Sequence, residues 1–365
     1  MTNKEKEILE IIANNPTIEQ SEIAELLHIS RSTVAVHISS LQKQGLLLGK
    51  GYIVNQEKYI TGIGACNVDV YGKSLIPLRT HYDHPAHITS NVGGVMHNII
   101  CNFTKLGGKA RLITAYGDDS YGHTIVEHCA RNGIDISDSL SVKGASSGIF
   151  MQVQDEDNDM YLAICDMSIL DHLSASFLRS KERIILNSEI VVMDPSLPIP
   201  VIQELITICE DKVPIYVDPI SDNYAQKMRP YIRYFTLIKP NRTELENLAD
   251  MSINNEQDMI SACQKLLKEG TKKVVVSLGD KGLLYMDQDQ TIRRSLPPEK
   301  EIVNASGAGD ALMASIIYAH VRNMDLESAL DLGMAAGIAA IRSEETINEQ
   351  MSIELLDNIL KEKRR

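Results

Sequence analysis

One stretch of the sequence combines the residue types that phosphate chemistry requires. Asn304-Ala-Ser-Gly-Ala-Gly-Asp310 places two glycines before an aspartate, and an apolar run that favours a helix follows at once. The first turn of a helix presents free backbone N–H groups and a partial positive charge, and glycines let an anion approach them. Asp310 would face that anion, where it can take a proton from a hydroxyl that attacks a phosphoryl group. Taken alone, the stretch is equally consistent with a glycine turn whose aspartate caps a core helix.

Four further polar clusters lie where strands are predicted to end, and ligands of open α/β sheets bind at the carboxyl ends of strands. The clusters are Gly64-Ala-Cys-Asn67-Val-Asp69, Gly93-Gly94-Val-Met-His-Asn98, Lys239-Pro-Asn241-Arg-Thr-Glu244 and Ser277-Leu-Gly279-Asp-Lys-Gly282. Asp69 can accept hydrogen bonds from two sugar hydroxyls, and Glu244 can hold a metal-bound water near a phosphate. Each cluster alone also has a plain structural explanation as a turn, a helix cap or a hairpin.

The elements that must position these clusters alternate between strand and helix patterns. Strands are predicted at residues 111–115, 190–193, 215–217, 236–238 and 273–277, and helices at 127–131, 202–209, 243–249 and 261–267. This alternation predicts an α/β fold with a doubly wound parallel sheet. Residues 148–155 and 159–165 form a predicted β-hairpin insertion around Asp157-Asn158.

The first 56 residues predict a separate α+β domain. The first helix is predicted at residues 4–13, a second follows with Thr17 as its cap, and a third spans residues 31–44 with Ser30 or Ser32 as its cap. Two strands are predicted at residues 46–48 and 52–54, joined by a turn at residues 49–51. This order is that of a winged helix-turn-helix, and the third helix resembles the recognition helices of bacterial winged-helix regulators. Its exposed side would carry five side chains that can reach phosphates and base edges of DNA: Arg31, Ser32, Thr33, His37 and Lys43.

The alternative for this domain is a helical dimerisation or scaffold module. Residues 1–58 hold six basic and seven acidic side chains, far from the strongly basic surface of many DNA-binding domains. A dimer would double the basic surface of the third helix and the wing. DNA therefore stays the expected partner of this domain, with the scaffold as the alternative.

The order and spacing of the five clusters resemble the ribokinase-like (PfkB) family of carbohydrate kinases across roughly residues 59–345. The resemblance implies a kinase domain at residues 57–365 that uses ATP and Mg2+ to phosphorylate a hydroxyl of a sugar or nucleoside. It also implies a small β-sheet lid, from about residues 68–85 and 147–166, over the substrate. In this family the lid often forms the contact of a homodimer.

The resemblance also assigns roles to individual residues. Asp310 becomes the general base, and Gly307, Ala308 and Gly309 form the anion hole for the transferred phosphoryl group. Substrate contacts fall on Asn67, Asp69, Gly93, Gly94 and Asn98, nucleotide contacts on Asn241, Ser277, Gly279, Gly282 and Ser306, and a water-mediated metal contact on Glu244. Asn304 stands where the family commonly has an aspartate, which leaves the use of a monovalent cation open.

Three details resemble the pseudouridine kinase branch of the family: Asn67-Val-Asp-Val-Tyr-Gly72, Ala163-Ile-Cys-Asp166-Met167 and Val217-Asp218-Pro-Ile-Ser221. They imply phosphorylation of the 5′-hydroxyl of pseudouridine, with Asp166 of the lid approaching the nucleoside. Met96 and His97 depart from the family pattern. The alternatives are a kinase for another nucleoside or sugar, and a transcription regulator whose kinase-like domain senses a ligand.

Composition limits the remaining classes. The 365 residues carry a formal net charge of -13, so bulk charge does not attract the chain to nucleic acid. Because no apolar window reaches membrane-spanning length and the charged start lacks a signal core, we expect a cytoplasmic protein without membrane contact. The six scattered cysteines form no Cys-x-x-Cys pair, which indicates reduced and mostly buried thiols. His81, His84 and His87 could form a metal site only if a loop gathered them.

Overall fold

A computed structural model describes residues 1–49, 58–157 and 159–364. The chain opens with helices α1 (Asn3–Asn14), α2 (Gln20–Leu27) and α3 (Arg31–Lys43), which enclose an apolar core of their own. The order of the helices agrees with the helix-turn-helix prediction. The predicted Thr17 cap is wrong, because Glu19 precedes α2 and forms a reciprocal capping box with Glu22.

The predicted wing falls partly beyond the described residues. Leu47 makes a single β-bridge, which is all that the structure gives of the strand predicted at residues 46–48. Most of the turn at residues 49–51, the second strand at 52–54 and the domain boundary at 56–57 lie outside the described residues. The same holds for Asn158, in the turn predicted for the hairpin insertion.

A nine-stranded sheet of described residues forms the centre of the second domain, in the order β15-β14-β13-β12-β11-β10-β1-β4-β6. The seven neighbouring strands β13, β12, β11, β10, β1, β4 and β6 run parallel to one another. A 3-10 turn (Gly279–Lys281) folds β14 back onto β13, so that β14 pairs antiparallel with both β13 and β15. The sheet is therefore mixed at one edge and not parallel throughout. The strands are β1 (Ile60–Ile63), β4 (Ala110–Ile113), β6 (Ile134–Asp135), β10 (Val191–Met193), β11 (Ile215–Val217), β12 (Leu237–Ile238), β13 (Lys273–Ser277), β14 (Leu283–Met286) and β15 (Thr291–Arg294).

Helices cover both faces of this sheet, and alternate strand residues enter two cores. In β10, Val191 and Met193 point into one core while Val192 points into the other. The helices are α4 (Val95–Lys105), α5 (Ser120–Arg131), α6 (Ala175–Ser180), α7 (Glu182–Leu186), α8 (Ile199–Cys209), α9 (Asp222–Met228), α10 (Arg242–Ala249), α11 (Glu256–Glu269), α12 (Ala308–Val321), α13 (Leu326–Ile341) and α14 (Ile353–Lys363). Further 3-10 turns span Ser168–His172 and Arg229–Tyr234. No helix among the described residues has both the length and the apolar character to span a membrane.

A separate four-stranded sheet, the lid sheet, has the order β3-β2-β8-β9. Its strands are β2 (Asn67–Ser74), β3 (Ala86–Gly93), β8 (Ile149–Gln154) and β9 (Met160–Asp166), and a further pair joins β5 (Ala115–Gly117) to β7 (Leu140–Val142). The lid predicted at about residues 68–85 and 147–166 omits β3. That strand reads as polar in the sequence because most of its side chains are exposed.

The two domains contact each other at the end of α3. The amide nitrogen of Asn187 donates to the carbonyl of Gln44 at 3.0 Å, just after the last residue of α3. Gly45 follows with a φ of 74°, and a Cβ there would lie 2.8 Å from the Asn187 amide nitrogen. Because only glycine adopts this conformation freely and leaves this space, Gly45 permits the close contact.

Candidate active site

Three charged side chains follow three neighbouring strands at the same edge of the sheet. Asp194, Asp218 and Lys239 each come directly after the last residue of β10, β11 and β12. All three are buried. Because these strands are parallel and adjacent, their carboxyl ends bring the three groups together. Asp218 and Lys239 belong to motifs that stand out in the sequence, but neither was predicted as a site residue, and nothing in the sequence pointed to Asp194.

Asp310 lies in the first turn of α12 and is buried at this same edge. Its Oδ2 accepts a hydrogen bond of 2.9 Å from the amide nitrogen of Asn98. Burial raises the pKa of Asp310 to about 7; Asp218 also raises it, whereas Asn98 and Lys239 lower it. A carboxyl with this pKa can exchange a proton near neutral pH.

Gly307 begins α12 in the left-handed region, with a φ of 78°. A Cβ at this position would lie 2.2 Å from the carbonyl oxygen of Thr346, so only glycine fits. Ala308 and Gly309 complete the first turn with Asp310. Backbone N–H groups at a helix start of this kind can bind an anion.

Lys239 brings a positive charge to the start of α12. Its Nζ lies 2.9 Å from Oδ2 of Asp218, and both side chains are at least nine-tenths buried. A Cβ at Gly309 would lie 3.1 Å from that Nζ, so the ammonium group stands beside the glycine turn. Burial lowers the pKa of Lys239, but Asp218, Glu244 and Asp310 together raise it above its ordinary value. The lysine is therefore charged where a phosphoryl group can bind.

Asn241 and Glu244 cap α10, as the plain structural explanation proposed. The Asn241 side chain accepts from the Glu244 backbone at 2.9 Å, and Oε2 of Glu244 accepts from the Asn241 backbone at 2.8 Å. Burial, followed by the charge of Asp218, raises the pKa of Glu244. A divalent cation would relieve the burial of the Glu244 carboxylate, and carboxylate oxygens are ligands that suit Mg2+. The described residues therefore fit a magnesium ion.

Asp69 and Asn67 lie at the base of the lid sheet. The Asn67 amide donates to Oδ1 of Asp69 at 2.6 Å, and Tyr71 donates its hydroxyl to Oδ2 at 3.3 Å. Burial raises the pKa of Asp69 to about 6, although these two donors lower it. A Cβ at Gly93 would lie 2.1 Å from Oδ2 of Asp69, and one at Gly94 would lie 2.7 Å from Oδ1 of Asn67. Both glycines therefore make room for this pair.

Asp166 and Asp69 lie on different faces of the lid sheet. The ladders align Asp69 with Asn91, Phe150 and Cys165 in one row across the lid sheet, whereas Asp166 shares a row with Val68. Successive residues of a strand point to opposite faces, so Asp166 lies on the face away from Asp69. Its carboxylate accepts from the Ser168 backbone at 2.9 Å, and this hydrogen bond lowers its pKa.

The predicted nucleotide residues line two neighbouring cavities. One, of about 320 Å³, has a largely apolar wall and reaches Ser277, Gly279, Gly282 and Gly309. The other, of about 560 Å³, reaches Asn241, Ser277 and Gly279. Together they offer a place for a flat apolar ring beside a polar region. Ser306 lies in neither lining; its backbone donates to the Asn304 side chain at 2.9 Å.

Four of the five predicted DNA-contact residues of α3 are exposed: Arg31, Ser32, Thr33 and Lys43. The fifth, His37, is half-buried, and its Nδ1 lies 4.0 Å from Oε1 of Glu5 on α1. Val36, which the sequence analysis overlooked, is 67% exposed on this helix. The exposed surface thus mixes small polar, apolar and basic groups.

The predicted loop histidines do not gather in the structure. The Nε2 of His84 accepts from the Arg79 backbone at 2.8 Å. Within the described ranges, the group with metal-ligand spacing lies elsewhere, at His97, Cys101 and His128. Five cysteines are buried, as expected, while Cys165 is exposed on the lid.

The chain belongs to the PfkB family of carbohydrate kinases, because the model of that family matches residues 57–353. It is a phosphotransferase with an alcohol acceptor, built on the ribokinase-like fold. A model described as winged helix-turn-helix DNA-binding matches residues 1–47.

Two curated relatives and one solved structure illustrate this membership. An uncharacterized sugar kinase, YeiI of Escherichia coli (strain K12), is 30% identical over 96% of this chain and 97% of its own. The pseudouridine kinase of the same organism is 28% identical over 82% of this chain and 96% of its own. The crystal structure of a putative sugar kinase from Clostridium perfringens superimposes with a TM-score of 0.75 at 32% identity, covering 85% and 96% of the two chains.

Proposed function

We propose that the protein transfers the γ-phosphoryl group of ATP to the 5′-hydroxyl of a nucleoside, with pseudouridine as the substrate. The observation that carries the kinase mechanism is the position of Asp310. This buried carboxylate has a pKa of about 7, stands in the first turn of α12 and is held by Asn98. A base with this pKa at an anion-binding helix start is what phosphoryl transfer to an alcohol requires.

In the proposed reaction, Asp310 accepts the proton of the attacking 5′-hydroxyl. The hydroxyl oxygen bonds to the γ-phosphorus as the bond to the ADP oxygen breaks. The N–H groups at the start of α12 and the Lys239 ammonium group stabilise the charge on the transferred phosphoryl group. Glu244 would hold Mg2+, directly or through water, and the ion would supply positive charge to the phosphates of ATP. The apolar cavity lined by Gly282 and Gly309 accepts the adenine ring.

Side chains on one face of the lid sheet support a nucleoside rather than a bare sugar as the substrate. Asp69 and Asn67 offer an acceptor and a donor for ribose hydroxyls. Phe150 sits beside Asp69 in the same row of the lid sheet and offers an aromatic surface for a base. Gln152, two residues further along β8 and therefore on the same face, offers an amide for the polar edge of uracil. The motif resemblance and the 28% identity to a pseudouridine kinase support this substrate.

The competing substrate is a sugar, because a relative that matches nearly the whole chain is named a sugar kinase. The test is ADP release from ATP and Mg2+ with pseudouridine, uridine, other nucleosides, ribose and fructose. We expect the highest kcat/KM with pseudouridine. A higher value for ribose or fructose would refute the nucleoside. No turnover with any compound would refute the kinase and favour a ligand sensor, and Asp310→Asn is the inactive control.

We also propose that residues 1–56 bind DNA through α3. Ser32 and Arg31 at its start can contact phosphates and base edges, and exposed Val36 can contact a thymine methyl group. The test is a salt titration of binding to the DNA upstream of the protein's own gene. A steep loss of affinity with salt supports binding, and Arg31→Ala should weaken it. No binding, or a flat salt response, would leave the scaffold alternative.

The lid sheet is the proposed contact of a homodimer. Its face opposite Asp69 carries Ile88, Met151, Leu162 and Ile164, all of them exposed. Cross-strand pairing places Ile88 and Leu162 in one row across the lid sheet, and Met151 and Ile164 in the next row on the same face. An apolar surface of this kind is covered more favourably by a second copy than by water.

A further inference from the structure

His97, Cys101 and His128 form a buried group that the proposed phosphoryl transfer does not use. His97 and Cys101 are four residues apart and so lie on one face of α4, while His128 belongs to α5. One ring nitrogen of each histidine and the sulfur of Cys101 all lie within 4.8 Å of one another. The two imidazole rings meet edge to face, with 5.0 Å between their centroids. These are residue types that bind transition metals.

Both histidines hold an unsatisfied nitrogen. The Nε2 atoms of His97 and His128 are buried and have no hydrogen-bond partner in the described part of the chain. Buried polar atoms without partners are costly, so a native protein usually supplies a partner. His97 is itself fully buried, and Cys101 is almost so. A metal ion held between the two rings and the thiol would supply such a partner.

The environment of His97 leaves its Nε2 lone pair available. Nδ1 of His97 lies 3.2 Å from Oδ1 of Asn98. Asn98 uses its amide nitrogen to donate to Asp310, so its oxygen must accept from His97. This fixes the proton of His97 on Nδ1, and Nε2 is then the free acceptor. A histidine whose second nitrogen donates to a fixed oxygen is the usual form of a metal ligand.

We propose that His97, Cys101 and His128 bind a zinc ion through two imidazole nitrogens and one thiolate. Zinc takes nitrogen and sulfur ligands at about 2.0–2.3 Å in tetrahedral geometry. The three ligand atoms need to approach one another by roughly 1 Å to reach that geometry. On binding, the Cys101 thiol loses its proton to solvent as the sulfur–zinc bond forms, and no electrons are transferred.

A cavity of about 420 Å³ reaches the group from outside. Cys101 and His128 form part of its wall, together with Lys105, Arg131, Glu345 and Glu349. It gives the ion an entry path and leaves room for a water molecule as the fourth ligand. The two acidic residues offset the positive charge that Lys105 and Arg131 bring to the wall.

The zinc site would also position the catalytic machinery. Zinc on Nε2 keeps the proton of His97 on Nδ1, which holds the Asn98 oxygen toward His97 and its amide nitrogen toward Asp310. With the other tautomer, Nδ1 would accept, and Asn98 would turn its oxygen toward the carboxylate. His97 is thus a positioning residue two hydrogen bonds away from the proposed base.

The test is an optical titration of the full-length protein with Co2+, a spectroscopic substitute for zinc. We expect saturation at one ion per chain, d–d bands of tetrahedral geometry and a thiolate charge-transfer band, all removed by added Zn2+. Cys101→Ser should abolish the charge-transfer band, and His128→Asn should weaken affinity more than tenfold. Cys263→Ser, an equally buried thiol on α11, and Cys165→Ser, an exposed thiol, are the matched controls.

Three results would overturn the site: no charge-transfer band, a band that survives Cys101→Ser, or one that Cys165→Ser removes. Circular dichroism shows whether Cys101→Ser folds, and His128→Asn tests the site independently at a half-buried position. For the positioning role, zinc removal at saturating Mg2+ should lower kcat severalfold without changing KM, and His97→Asn should match it. An unchanged kcat would refute that role. The Co2+ spectrum does not depend on kinase activity, so each proposal can fail separately.

Discussion

The amide nitrogen of Asn98 donates a hydrogen bond of 2.9 Å to Oδ2 of Asp310, and it joins α4 to the first turn of α12. This donor acts against the burial that raises the pKa of Asp310 to about 7. The proposed base is therefore partly unprotonated at neutral pH although it is buried. The first prediction concerns this contact.

Asn98→Ala should move the pH dependence of the reaction. In the unmodified protein, kcat/KM should rise with pH and level off above about 7, because Asp310 must be unprotonated to accept the proton. Loss of the donor raises the pKa of Asp310 further, so the rise should shift upward by about one pH unit. ADP release measured from pH 5.5 to about 9 checks this. Thr104→Ala, elsewhere on α4, is the control, and an unshifted profile would refute the role of Asn98.

Asp310→Asn should stabilise the fold at high pH. A carboxyl with a pKa raised from 3.8 to about 7 adds stability below its ordinary pKa and loses it as pH rises through 7. The asparagine variant has no such loss, so its advantage should grow between pH 4 and 7 and reach a few kcal/mol, at most about 4. Urea unfolding at both ends of that range measures it. Exposed Asp166→Asn should gain nothing comparable, and a pH-independent advantage would contradict the buried charge.

Lys239→Met should destabilise the protein strongly. It removes one partner of a buried ion pair and leaves the carboxylate of Asp218 unpaired, which costs about 3–5 kcal/mol. The double variant Lys239→Met with Asp218→Asn removes both charges, so most of the stability should return while activity stays low. Unfolding curves and ADP release separate the two effects. Recovery of activity along with stability would show that Lys239 serves the fold alone.

Asn304→Asp should make activity depend on potassium. The Asn304 side chain accepts from the Ser306 backbone and donates to the Glu344 carbonyl at 3.0 Å. The Asn304 amide therefore uses the Glu344 carbonyl as its hydrogen-bond acceptor, and a monovalent cation could use that same carbonyl as a ligand. We expect the unmodified kinase to have equal kcat in K+ and in a bulky organic cation, whereas the variant should recover activity only in K+. Strong K+ activation of the unmodified enzyme would contradict this.

Ile164→Lys should weaken the proposed dimer. Ile164 is 60% exposed on β9, within the apolar face of the lid sheet, where a charge would be costly to cover. Sedimentation at several concentrations should show a dimer for the unmodified protein and a monomer for the variant. Leu26→Lys, an equally exposed leucine on α2, should leave the assembly unchanged. A monomeric unmodified protein would refute the lid contact.

The local patterns of the sequence predicted most of the architecture. Residues 215–217 and 273–277 are strands with the predicted bounds, because short apolar β-branched runs between turns have few alternatives. The capping of α10 by Asn241 followed from a motif with its own hydrogen bonds. β3 was not predicted, because most of its side chains are exposed and its sequence therefore shows no apolar pattern. Its strand conformation comes from pairing with β2.

The site was predictable as far as it lies within single motifs. Asp310 and its glycine turn form one such motif, and the family resemblance linked it to Asn98. Lys239 and Asp194 were missed because each is a single residue after a strand, and only the order of strands in the sheet brings them together. The face on which Asp166 lies could not be predicted, because the register of β8 and β9 cannot be read from one strand.

The junction at Gly45 has a consequence for protein engineering. Asn187 of the kinase domain donates a hydrogen bond to the Gln44 carbonyl at the end of α3. Gly45 of the first domain leaves the space that the Asn187 side chain occupies. The two halves are therefore not freely exchangeable parts. A chimera that grafts this winged helix-turn-helix domain onto another kinase must carry Gly45 and Asn187 as a matched pair, or α3 will be presented at a different angle.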